Sequence, residues 1–197
     1  MTALPTTALR RAAAPLELPI LRRTAAIAAA VLGATALVAV TIRAAGAGAA
    51  RDQLDLAFGG LPRTAGAAWT VFAANLRLLG VTFVAALVAH LTCPRDGAGR
   101  AERFFGRVPV VICDVVLALG CLLHVALVGA ALGGYGLRAA GYVLPHGPVE
   151  LTGFALGLAL YLEARAGRLV PRAAVAPAVL AVVVLAVAAG LEVFTGA

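Results

Sequence analysis

Two side chains with chemical capacity share one short stretch, YVLPHGPVELTGF at 142–154. His146 stands between a proline and a glycine, and Glu150 follows four residues later inside apolar sequence. Imidazole and carboxylate are the groups of proton transfer, metal ligation and ion passage, and each is costly in apolar surroundings unless something satisfies it. A second set comprises His90 and Cys93, in H-x-x-C spacing, with Cys113, Cys121 and His124 further on. A soft-metal centre needs four convergent ligands in fixed geometry, and these five come from two separate apolar segments. The sequence reading therefore assigns no metal and no cofactor.

Covalent catalysis finds little to use. The chain has no serine, the metalloprotease pattern HExxH is missing, the carboxylates are scattered, and no cysteine adjoins His146. The expectation is a protein that is not an enzyme.

The elements that position these groups are set by composition. Of 197 residues, 62% are hydrophobic and the mean hydropathy is +1.00, more than a soluble core needs, so the chain reads as a membrane protein in contact with the lipid bilayer. All 16 basic residues are arginine, and the formal charge is +7. They are dispersed between apolar runs and form no basic, aromatic-lined surface, which excludes nucleic acid as a partner. The three cysteines lie in or beside apolar segments and read as packing residues, not as a disulfide framework.

The fold class expected is all-α, a polytopic transmembrane bundle of about five spans: 24–42, 75–93, 109–130, 148–162 and 173–191. Residues 1–23 form an N-terminal cytoplasmic segment and 24–197 a single transmembrane domain. Span one is Thr24 to Ile42, 19 residues without a charge, close to the ~20 that cross a hydrocarbon core. Arg43 separates it from the small-residue run AAGAGAA, so an uncleaved anchor is expected. The stretch RDQLDLAFGGLPRTAGAAWTVFAANL, from Arg51, mixes charges with Trp69 and Phe72 and reads as an interfacial segment before span two. With the N-terminus inside, eleven of the arginines fall on the cytoplasmic side, which supports that orientation in a bacterial inner membrane.

The fourth span carries the opening motif. Pro145 and Gly147 break a helix arriving from upstream, and Pro148 is suited to the first turn of a new one. The entry to span four is therefore broken, with Glu150 in its first turn near unpaired backbone N–H groups and the positive end of the helix dipole. Two roles stand open and compatible: His146 and Glu150 satisfy the backbone of a buried helix start, or they form a polar site lined by neighbouring helices. Two G-x-x-x-G spacings, Gly129 with Gly133 and Gly153 with Gly157, allow close approach of helices. They read as compact packing before self-association, with a homo-oligomer left open.

The string LPHGPVEL, followed by small residues and Gly157, resembles the hallmark of the stage II sporulation protein M family of bacterial membrane proteins: Pro-His-Gly, two residues, then Glu. AANLRLLG with Asn75, LVGAALG, and AGLEVF with Glu192 resemble further family segments in order, so the resemblance runs from about Asn75 to Phe194. It implies a family polar site of His146, Gly147, Glu150, Asn75 and Glu192. Where the family has asparagine before glycine, this chain has Val128 before Gly129, and Asp114 or His124 are the candidate replacements. The founding member belongs to a membrane complex with cell-wall-degrading enzymes, so the resemblance implies a scaffold that organises membrane or envelope proteins. The alternative is a small-solute or ion transport component with a polar midplane site around His146 and Glu150.

Overall fold

The computed structural model describes residues 18–56, 58, 61–92 and 100–195, and the side chains of 18 and 100–103 are outside that description. Most of the N-terminal segment and Cys93 thus lie outside the described residues. Everything described is helix or short connection, with no strand. The helices are α1 (Leu18–Ala45), α2 (Ala47–Leu54), α3 (Ala65–Thr92), α4 (Arg100–Tyr135), α5 (Leu137–Val143), α6 (Gly147–Arg165) and α7 (Pro171–Thr195).

Four of these, α1, α3, α4 and α7, are long and apolar enough to cross a membrane, and α5 with α6 makes a fifth if that pair, bent by 58°, counts as one span. The chain is a multi-pass membrane protein. Each break has a local cause. Gly136, at φ 61, sits in the left-handed region that favours glycine and turns α4 into α5; Gly167, at φ 67, closes α6. Pro171 then opens α7, where a missing N–H costs nothing. Pro109 and Pro177 are accommodated inside α4 and α7.

Span two departs from the expected boundaries. Its helix begins at Ala65, not near residue 75, because Thr64 caps it: the Thr64 Oγ1 accepts the Ala67 N–H at 3.2 Å, and the Thr64 carbonyl accepts from Ala68. Trp69 and Phe72 therefore ride on α3, with Trp69 exposed, and the segment between spans shrinks to α2 and the connection that follows. The other spans keep their places and lengthen at their ends. At 36 residues α4 is the longest helix, about 54 Å at the usual rise.

The core forms where α6 is enclosed by α3, α7 and α1. Leu79, Leu156, Ala159, Leu160, Ala181 and Leu185 are buried together, and Ala85, Ala86 and Ala89 of α3 close on Tyr161 and Ala164 of α6. Lipid tails are as apolar as leucine, so this packing gains dispersion and close backbone approach, and little from water release. Glycine supplies the closeness. A Cβ at Gly153 would lie 2.9 Å from Leu185, and one at Gly157 would overlap Thr82 and Leu79. On the other flank a Cβ at Gly129 or Gly133 would meet α1, at Val38 and at Ala39 and Ile42. All four glycines thus face neighbouring helices of their own chain.

These contacts fix the directions. α3 and α6 run parallel, α7 runs against them, and α1 runs parallel to α4. One end of the bundle holds Arg23 and Glu163; the opposite end holds His146 and Glu192.

Candidate functional site

At the His146 end, α5 stops at Val143 and the chain turns through 144–146 before α6 starts at Gly147. The four residues Pro145 to Pro148 make this break for the reasons read from sequence. Pro148 occupies the first turn of α6, and a Cβ at Gly147 would stand 3.0 Å from a Val143 methyl, a tight contact that glycine avoids. His146 takes the N-cap position, but its side chain caps nothing. Only its carbonyl takes part, accepting the Glu150 N–H at 2.9 Å.

The side chain is directed elsewhere. His146 Nε2 lies 4.0 Å from Glu192 Oε2, near the C-terminal end of α7. One ligating atom each from His146, Glu150 and Glu192 falls within 4.8 Å of the others. The three are half-buried, with the His146 side chain 15% exposed and that of Glu192 30%. His146 Nδ1 is buried and has no hydrogen-bond partner among the described residues. No backbone N–H bonds to the Glu150 carboxylate among the described residues, so side-chain capping of the helix start, one of the two compatible roles left open by the sequence, is not seen here. The physical reason lies in the break: Pro148 contributes no N–H, and the remaining first-turn geometry turns Glu150 toward α7.

Asn75 joins this end by register. Thr82 and Leu79 of α3 abut Gly157, and the two helices are parallel. Seven residues back from Thr82 is Asn75, and seven back from Gly157 is Glu150. Seven residues is close to two full turns, so both keep the facing side. Asn75 is 9% exposed there.

The two proposed replacements from α4 do not reach the group. Asp114 accepts the Tyr161 O–H at 2.6 Å and pairs with Arg165 at 2.9 Å, toward the Arg23 end. His124 lines an apolar groove of about 280 Å³ with Val31, Leu78, Leu151, Phe154 and others. The helical-wheel sector shared by Asp114 and His124 was legible, but Asp114 is held by Tyr161 and Arg165, and His124 is not one of the three grouped residues. Of the sequence-level metal candidates, His90 is on α3, and Cys113 and Cys121 are free thiols on α4. Among the described residues the metal-capable group of three is instead His146, Glu150 and Glu192.

Sequence reasoning missed a second polar centre. Glu163, 8% exposed, accepts from Arg23 at 2.8 Å and from Arg168 at 3.1 Å beside a cavity of about 450 Å³ lined by both arginines, Ile20 and Leu169. The spacing in LEARAGR, an acid five residues before an arginine across a glycine turn, was the available signal. Arg23 is 140 positions away and gave none.

The site also lies at the end of the α6–α7 pair, in the first turn of one helix and the last turns of the other, and not midway along them. Comparison with protein-family models, with curated proteins and with solved structures finds no match.

Proposed function

We propose that the chain is a non-enzymatic scaffold of a bacterial inner-membrane complex, as its resemblance to the stage II sporulation protein M family implies, with its N-terminus in the cytoplasm, as the distribution of arginines implies. The observation that carries this reading is the outer face of α4. This is the longest described helix, yet none of residues 104–128 is buried by the rest of the chain. Val115, Leu119, Leu122 and Leu123 all stand about half exposed or more. α4 gives Gly129 and Gly133 to α1, and Val110, Cys113, Asp114 and Leu117 to α3 and α6; we read the rest of its surface as a face for apolar helices of other membrane proteins. The test is a photo-crosslinking residue at Leu119 or Leu122 in native membranes. A discrete adduct with a second membrane or envelope protein is expected, and adducts with lipid alone would remove the support.

The alternative, a transport component, is favoured by a different observation: the 58° break beside three polar ligands, an arrangement that transporters use. Against it, Leu79, Leu156, Leu160 and Leu185 fill the interior between the two polar ends. Specific solute flux into vesicles holding only this protein would reverse the order of the two readings.

A further inference from the structure

We propose that His146, Glu150 and Glu192 form a binding site for a divalent transition-metal cation, of which Zn²⁺ is the best-suited probe. The proposal goes beyond the scaffold reading and does not depend on it.

The donor set comes first. One imidazole and two carboxylates, each offering an atom within 4.8 Å of the others, make a mixed nitrogen and oxygen site. Coordinating bonds of about 2.0–2.2 Å place ligand atoms about 3–4 Å apart in a tetrahedron, so the group is near the required size and closes with side-chain rotation alone. The imidazole argues for a first-row transition metal over Mg²⁺ or Ca²⁺, which take oxygen ligands. Three protein ligands leave room for water or for a further donor, and Asn75 stands level with Glu150 on the facing side of α3.

The electrostatics point the same way. Two carboxylates converge at the end of an apolar bundle, and among the described residues no arginine pairs with either of them. His146 offers its Nε2 at 4.0 Å, too long for a hydrogen bond. A dication balances the two acids. The helix dipoles do not oppose it: the positive end of α6 lies at Glu150, but the negative end of α7 lies beside Glu192, and the two offset.

A second observation is independent of the acids. His146 Nδ1 is shielded from solvent and has no partner among the described residues, and an orphaned buried ring nitrogen calls for an explanation. The N-cap role that would explain a polar residue here is left to the backbone. A metal held through Nδ1 would satisfy that nitrogen, whereas one held through Nε2, the nitrogen nearer Glu192, would leave it unpaired, so the orphaned atom points to Nδ1 as the ligand.

The site bridges two elements that are distant in sequence. His146 belongs to the break between α5 and α6, and Glu192 to the far end of α7. A cation held by both would pin the break to the bundle, and binding to the folded chain alone raises its stability by mass action.

The test uses the full chain, purified in detergent without a histidine tag and stripped with chelator. Titration calorimetry with Zn²⁺ is expected to show one equivalent bound, with a rise in Tm. Co²⁺ should give the visible absorption bands of a low-coordinate site. Glu192→Gln and His146→Gln should each weaken Zn²⁺ binding by more than ~100-fold, beyond the ~10–100-fold that loss of a supporting group costs. Glu163→Gln, at the other end, should leave it unchanged. Absence of stoichiometric Zn²⁺ binding by the wild-type chain overturns the proposal, as does binding that Glu192→Gln leaves intact. Because Glu192 lies near the end of α7, that variant reads the site even if His146→Gln fails to accumulate.

Discussion

The two ends of α6 handle buried charge in opposite ways. At Glu163 the acid is enclosed by Arg23 and Arg168, and next to it Asp114 is held by Arg165 and the Tyr161 hydroxyl. Three arginines meet two acids, and every acid has a strong partner at 3.1 Å or less. At Glu150 and Glu192 two acids meet one histidine across 4.0 Å, and a ring nitrogen stays unpaired. An ion-paired end closes a bundle and is complete within the chain. An end where two acids face each other without an arginine is complete only with something else. The difference separates a structural contact from a candidate site better than the presence of charge does.

That comparison can be broken at its centre. Gly157→Leu would drive a side chain into Thr82 and Leu79, parting α3 from α6 and disturbing both ends together. The expected cost is the largest of the series, about 3 kcal/mol or more, seen as a drop in membrane accumulation and in Tm. If that variant folds normally, the two ends are not carried by one rigid core.

Next in size is Glu163→Gln, which strands two arginines at the paired end. Removing one member of a fully buried pair costs about 3–5 kcal/mol. Both arginines are more than a third exposed, so solvent screening reduces the expectation to about 2 kcal/mol, read as a lower Tm in detergent. Tyr161→Phe removes one hydrogen bond to a carboxylate that keeps Arg165, for a loss of about 1 kcal/mol.

The smallest effect has the opposite sign and sharpens the contrast most. In chelator, Glu192→Gln relieves the repulsion between two uncompensated acids and should stabilise the chain by about a few tenths of a kcal/mol. Thermal unfolding of wild type and variant checks it, with and without Zn²⁺. A destabilisation in chelator would mean that Glu192 already has an internal partner.

The candidate site was partly legible in the residues. Pro145, Gly147 and Pro148 announce a broken helix because each acts on its own backbone, and the structure has the break there. The grouping of Glu192 with His146 came only from the family resemblance, since nothing local links residues 46 positions apart. Two expectations failed, one for a tertiary reason and one for a local reason. Asp114 found a nearer partner in Tyr161 and Arg165, and residues 65–74 joined α3 because Thr64 supplied a cap that the charge pattern did not reveal.

That this chain is a helical membrane protein, how many apolar segments it has and where the fourth is interrupted could all be read from the residues. Hydropathy over ~20 residues and the stereochemistry of proline and glycine are local properties, written position by position. Which acids were paired with arginine and which were left facing one another followed from the packing of the helices. That outcome depends on helix rotation and register, set by where Gly129, Gly133, Gly153 and Gly157 let backbones approach, and no single segment carries that information.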